Sequence, residues 1–196
     1  MSSFLETIKI EDGVVCNIAY HQKRYESVLK HFKIANFENL QTYIKAPKKG
    51  VYRCRVVYTL GGVLEVSYHE YKKREINSFK LVYDDALNYQ FKSADRDDLN
   101  SLFQKRGECD EIIIVKNSLI TDTSIANIAL KKDGVWFTPK SPLLKGTTRE
   151  RYLEKGFLVQ KDIKANELHN YSHIALMNAM IDFDIIASDN VRNIVC

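Results

Sequence analysis

The chain has 196 residues, 45% of them hydrophobic and 28% charged, with only 8 Gly and 3 Pro. At ~150 residues per domain that length holds one to two small domains with a buried core, and the composition excludes disordered, collagen-like and low-complexity classes. The net charge of +4 comes from 29 basic and 25 acidic residues scattered among one another, a pattern that argues against a dedicated nucleic-acid or membrane-surface binder.

In residues 4–10 large apolar side chains alternate with Leu5, Thr7 and Lys9, and Glu11-Asp12-Gly13 separates them from residues 14–18. A strand hairpin is predicted there. Residues 21–32 carry Tyr25, Val28, Leu29 and Phe32 at helical spacing, with His21 near that face and Arg24 at its margin. A partly sheltered arginine requires an anion. Residues 37–44 read as a second helical run ending at Ala46-Pro47, and residues 51–60 and 63–68 as a hairpin about Gly61-Gly62. The most polar stretch, Tyr71-Lys72-Lys73-Arg74-Glu75, is the candidate linker and gives expected domains of residues 1–72 and 73–196. Beyond it, residues 79–83 and 88–91 read as strands. A helix follows an Asp N-cap in Asp95-Arg96-Asp97-Asp98, with Leu99, Leu102 and Phe103 on one face and Lys105-Arg106-Gly107 closing it. Residues 111–116, 128–131 and 135–138 read as strands, 148–155 as a helix and 173–177 as a last strand. The expected fold class is α+β, and no repeat is visible.

The longest aliphatic run, Ile112-Ile113-Ile114-Val115, is far short of the roughly 18 residues a spanning helix needs. The acids in MSSFLETIKIED are out of place in a signal peptide, so a soluble protein retained in the cytoplasm is expected, with no membrane partner. Cysteines 16, 54, 109 and 196 show no metal or redox spacing and are expected to be free thiols. His169 and His173 lack the glutamate of a metalloprotease helix and read as polar loop residues, so no metal is expected. Lys92 precedes the capped helix, where partial desolvation can lower an amine pKa and make it nucleophilic; a solvated surface lysine is the commoner case, and Asp95, Asp97 and Asp98 act against the shift.

Five segments in order are more specific: His21-Gln22-Lys23-Arg24, Lys92-Ser93-Ala94-Asp95-Arg96, Ile120 through Asp122 and Asn127 to Ile128, Trp136-Phe137-Thr138-Pro139, and Leu144-Lys145-Gly146-Thr147-Thr148-Arg149. Together they resemble the class IV aminotransferase family of pyridoxal phosphate enzymes, over residues 4–181. The resemblance implies a small N-terminal α/β domain lacking the usual first strand and a larger C-terminal pseudo-barrel domain, with pyridoxal 5′-phosphate between them. It implies that Lys92 bonds the cofactor and shuttles the substrate Cα proton. Arg24 matches the arginine on the cofactor phosphate, and Gly146, Thr147 and Thr148 the phosphate cradle at a helix start. Asp122 falls where the family has a glutamate on the pyridine nitrogen, its arm one methylene shorter. Arg96 lies where the lyase branch has an arginine and implies contact with the cofactor ring oxygen or a salt bridge within its helix; Asn127 is counted with the cofactor-binding residues. A homodimer that completes the pocket is also implied.

Two enzyme readings share the first proton transfer to Lys92. One is a lyase that converts 4-amino-4-deoxychorismate to 4-aminobenzoate and pyruvate in folate biosynthesis. The other is a branched-chain or D-amino acid aminotransferase. The run Leu176-Met177-Asn178-Ala179-Met180 is similar to the Asn-Ala run of the lyase branch, and Asn178 and Ala179 join the candidate site, with a small-molecule amine as substrate. Family membership alone does not choose a reaction, and a cofactor-binding protein without turnover is the third reading. Lys72-Lys73-Arg74 reads as a solvated face, not a nucleic-acid patch.

Overall fold

A computed structural model describes residues 2–187. The chain divides into two compact units, one running to Lys73 and including Phe91–Asp95, the other made of Arg74–Gln90 and the chain from Arg96 onward. A single cut at 72/73 differs from this division because Phe91–Asp95 returns to the first unit. A polar linker marks where the chain leaves a core, but it carries no signal for a later segment that pairs back.

In the first unit β1 (Phe4–Glu11), β2 (Val14–Val15), β3 (Val51–Thr59) and β4 (Gly62–Glu70) form an antiparallel sheet in the order β2-β1-β3-β4. Ile8, Ile10, Cys54, Val56 and Tyr58 are completely buried on one face, under Tyr25, Val28 and Leu29 of α1 (Ile18–His31). The expected second strand stops at Val15, because Asn17 adopts a left-handed conformation (φ 52°) that ends extended chain before the helix. The helix expected over 37–44 shrinks to a 3-10 turn, Leu40–Tyr43, whose start is fixed late by the Asn39 side chain accepting from Gln41 N. Phe91–Asp95 lies along the edge of β1 opposite β3. Leu5 N donates to Lys92 O at 2.9 Å, Ala94 N donates to Ser3 O at 2.9 Å, and Phe91 meets the Phe4 ring.

The second unit holds β5 (Phe79–Tyr83), β6 (Glu111–Lys116), β7 (Leu119–Thr123), β8 (Asn127–Lys132), β9 (Val135–Pro139), β10 (Leu158–Lys161), β11 (His173–Asn178) and β12 (Asp182–Ala187). They form one mixed sheet in the order β10-β9-β8-β7-β6-β5, with the β11–β12 hairpin joined to β8. Helices α2 (Asp97–Gln104) and α3 (Thr147–Glu154) complete it. Its largest core gathers Phe79, Ile113, Val115, Ile128, Leu130 and Ile174, while Leu99 and Leu102 of α2 pack on Ile112 and Ile114.

No strand forms at 88–91. The Asp84 carboxylate takes the Ala86 and Leu87 amides and Asn88 takes that of Gln90, so side chains capture the donors a ladder would use. The N-cap of α2 is Arg96, one residue beyond the expected Asp95, so the helix begins at Asp97, with Asp97 and Asp98 in its first turn. β11 is followed by β12, so it is not the last strand. Cys16 and Cys54 are free thiols, whereas Cys109 is disulfide-bonded, against the expectation of four free thiols. Spacing in sequence says nothing about whether remote Cα atoms approach within bridging distance. Cys196 lies outside the described residues. Among the described residues no helix is long and apolar enough to cross a membrane.

Ile113 is completely buried and Val159 is 46% exposed. Ile113→Ala is expected to cost about 2–5 kcal/mol, and Val159→Ala no more than about 0.5 kcal/mol. Thermal denaturation of the two variants checks the placement of the core.

Candidate active site

β1 alternates so that Glu6, Ile8 and Ile10 point to the same buried face. Glu6 is completely buried there. Its carboxylate is met from α1 by two side chains three residues apart, hence on one helix face. Arg24 Nε donates to Glu6 Oε1 at 2.8 Å and Arg24 Nη2 to Oε2 at 2.5 Å, while His21 Nδ1 lies 2.6 Å from Oε2. Burial alone would raise the Glu6 pKa, but the Arg24 charge, reinforced by both side-chain hydrogen bonds, outweighs it and holds the group down at about 2. Burial pushes the His21 pKa below its ordinary value, aided by the Arg24 and Lys92 charges. With Glu6 ionised, the Nδ1 of His21 must carry the proton of this contact. The anion that Arg24 requires is therefore supplied within the fold. Lys92 is half-buried in the same unit, its carbonyl held by the amide of Leu5, the residue before Glu6.

In the second unit Asp122 and Asn127 are directly opposed where β7 meets β8. Asn127 Nδ2 donates to Asp122 Oδ1 at 2.7 Å and to Leu144 O at 2.8 Å, and Leu144 N donates to Asp122 Oδ2 at 2.9 Å. Asp122 is 4% exposed, and burial raises its pKa to about 6 against the pull of the Leu144 amide, the Asn127 amide and the Arg149 charge. Two residues beyond Leu144, Gly146 caps α3. An ideal Cβ on Gly146 would stand 2.0 Å from Asn127 Oδ1. Its φ of −72° suits any residue, so the requirement for glycine is one of space. No side chain caps α3, and Thr147, Thr148 and Arg149 are buried in its first turn. The first N–H groups of a helix have no intrahelical acceptor and favour an anion.

Arg96 Nη2 donates to Ser124 O at 2.7 Å, and Asn178 Nδ2 donates to Ile125 O at 3.2 Å. Both thus hold the loop that follows Asp122. Asn178 Oδ1 accepts from Met180 N and Ile181 N and shapes the β11–β12 turn, which contains Ala179. The sequence-predicted residues therefore fall into two groups: Arg24 and Lys92 in the first unit, and Asp122, Asn127, Gly146, Thr147 and Thr148 with Arg96 and Asn178 in the second. Glu6 and Glu111 were not picked out from the sequence, and Arg149 was picked out only as the end of the Gly146-Thr147-Thr148-Arg149 pattern, with no role of its own. Glu6 was detectable, since a carboxylate in phase with core isoleucines must be paired. Glu111, completely buried on β6, binds Arg74 and the Ser124 amide. Arg149 reaches Pro139 O at 2.8 Å, and nothing in its sequence neighbourhood announces that bond.

Residues 3–188 match the model of the family named amino-transferase class IV. The chain belongs to that family. It is 36% identical over 186 residues to an uncharacterised protein of Haemophilus influenzae, covering 92% of this chain and 98% of that one. A crystal structure from Haemophilus somnus 129PT, provisionally named a 4-amino-4-deoxychorismate lyase, shares 35% identity with a TM-score of 0.82, over 92% of this chain and 97% of the other. The pyridoxal phosphate-bound form of a hypothetical aminotransferase from Mycobacterium tuberculosis shares the fold, at 15% identity and a TM-score of 0.75, over 94% and 80% of the two chains.

Two outcomes test these clusters. Gly146→Ala is expected to cost about 1–3 kcal/mol by driving Asn127 off Asp122. Asn127→Ala removes the obstacle, so the double variant should lose less than the two single changes together. Strict additivity in thermal denaturation would show that the two positions do not touch. The second outcome concerns acid. Glu6 has a depressed folded pKa, so its stabilisation, about 3 kcal/mol, is fully present above its ordinary pKa of 4.5 and is lost as pH falls from there towards 2. Glu6→Gln should flatten the stability curve of the first unit over that window.

Proposed function

We propose that this protein is a pyridoxal phosphate-dependent lyase that converts 4-amino-4-deoxychorismate to 4-aminobenzoate and pyruvate. The observation that carries the reading is the convergence of Arg96 and Asn178 on the loop after Asp122. These are positions where the chain resembles the lyase branch, and they restrain one loop from two separate elements. The 35% identity to the Haemophilus somnus protein, over nearly the whole of both chains, supports the same reading.

The residues present fit the cofactor. The uncapped start of α3 in the second unit, with Gly146, Thr147 and Thr148, suits a phosphate, and Arg24 in the first unit stands where the chain resembles the family's phosphate-binding arginine. Asp122 suits a protonated ring nitrogen. Burial raises its pKa because its immediate partners are neutral amides, so a cationic neighbour would stabilise its ionised form. A carboxylate has about four lone-pair positions, and accepting from Asn127 and Leu144 leaves capacity for that proton. When bound, pyridoxal phosphate supplies an electron sink for the charge left at the substrate carbon. Lys92 Nζ removes the proton from the amine-bearing ring carbon of the substrate. The electron pair then forms the new ring double bond as the carbon–oxygen bond to the enolpyruvyl group breaks. The departing enol takes up a proton to become pyruvate, and the ring becomes aromatic.

The deciding experiment supplies enzymatically made 4-amino-4-deoxychorismate and follows pyruvate and 4-aminobenzoate, with a parallel panel of L- and D-amino acids. Pyruvate and 4-aminobenzoate in equal amounts are expected, with no keto acid from the amino acids. Keto acids from branched-chain or D-amino acids, without 4-aminobenzoate, would replace this reading with transamination. Borohydride is expected to fix the cofactor on Lys92, and Lys92→Ala to abolish both the adduct and turnover. Asp122→Asn should lower turnover far more than cofactor affinity, since the ring charge matters most as the carbanion develops.

A further inference from the structure

We infer that Glu6 is a positioning residue for the cofactor phosphate, a strand-borne carboxylate that fixes the Arg24 guanidinium and ties it to the strand carrying the Lys92 peptide. The inference rests on the proposed assignment of Arg24 and Lys92 to pyridoxal phosphate. It adds a residue that makes no contact with the cofactor.

Three observations carry it. The first is the fork: Glu6 takes Nε and one Nη2 hydrogen of Arg24 with two parallel bonds, which fixes the plane of the guanidinium and directs its remaining N–H groups away from Glu6. The second is the clamp on Glu6 itself. It is completely buried, and the Nδ1–H of His21, also buried, fills the side of Oε2 that the arginine does not use. The carboxylate therefore has little freedom to follow the arginine. The third is the strand. Glu6 follows Leu5, whose amide holds the Lys92 carbonyl, and Phe4 is bridged to Ser93. Consecutive residues of β1 thus fix the backbone of the reactive lysine and the side chain of the phosphate-binding arginine. The neutral state of His21 leaves Glu6 and Arg24 as a pair of zero net charge, so Glu6 does not enhance the positive field at Arg24.

Position and charge make opposite predictions, which allows a clean test. If Glu6 merely balanced charge, Glu6→Gln would leave Arg24 uncompensated and tighten phosphate binding, and Glu6→Asp, which keeps the charge, would behave as wild type. A positioning role predicts the reverse for both. The measurement is the dissociation constant of cofactor-stripped protein for pyridoxal 5′-phosphate and for pyridoxal, which lacks the phosphate. Wild type should prefer the phosphorylated form strongly, and Arg24→Ala should erase that preference. Glu6→Gln and Glu6→Asp should each weaken pyridoxal phosphate binding about tenfold or more, with pyridoxal affinity unchanged. A merely structural defect would weaken both ligands together and overturn the inference, as would unchanged or tighter pyridoxal phosphate binding in either variant. Should neither variant fold, the wild-type Nδ1–H proton resonance of His21 gives the answer: it should shift with inorganic phosphate and stay fixed with equimolar chloride, and no shift overturns the inference. Failure of wild-type protein to bind pyridoxal phosphate at all would instead overturn the functional reading beneath it.

Discussion

A carboxylate removed from water must be met by positive charge or by N–H donors, and each compact unit is organised about meeting that demand. In the first unit Glu6 occupies a core position of β1, and α1 is placed so that His21 and Arg24 reach it. In the second, Asp122 occupies the β7–β8 corner, and the chain before α3 is drawn up so that Leu144 and Asn127 reach it. Removing either acid would leave donors buried without acceptors, which is costly in proportion to how dry the site is.

The two acids answer to different partners and so take different characters. Glu6 faces a full guanidinium charge and is held ionised far below the ordinary range. Asp122 faces amides, with the Arg149 charge a lesser influence, and burial prevails. One carboxylate is a permanent anion whose charge is already balanced. The other is ionised at neutral pH at a cost, and any cation brought to it relieves that cost. A structural acid and a chemically poised acid are thus separated by the partners each is given, one in each unit.

Much of this architecture is legible in the sequence, for stated reasons. The strands 79–83 and 111–116 and the helix about Tyr25, Val28 and Leu29 follow from periodicity, because their buried faces are continuous. The segments that misled are those where a side chain captures backbone donors, as at Asp84 and Asn88, or where a left-handed Asn17 ends a strand. β7 was hidden because its Thr-Asp-Thr portion lacks an apolar signature although Thr121, Asp122 and Thr123 are all buried. Asp122, Asn127 and Gly146 were legible as a spaced pattern. Their mutual contacts were not, since nothing local to Gly146 shows that Asn127 occupies the space of its missing side chain.

That missing side chain bears on the shorter arm of Asp122. In the proposed function Asp122 stands in for a glutamate one methylene longer, and that shorter reach requires the surrounding backbone to be brought in. Asn127 does this from both ends: one amide group grips Asp122 Oδ1 and Leu144 O together, and its carbonyl oxygen lies where a Gly146 side chain would be. The Leu144 amide closes the ring of contacts on Asp122 Oδ2. The acid and the start of α3 are therefore parts of one hydrogen-bonded assembly within the second unit. A displacement of the α3 N-terminus would strain the bonds on Asp122. In the proposed function, that coupling keeps the groups for the phosphate and the ring nitrogen in fixed relation, which is the requirement a rigid cofactor imposes on the protein that holds it.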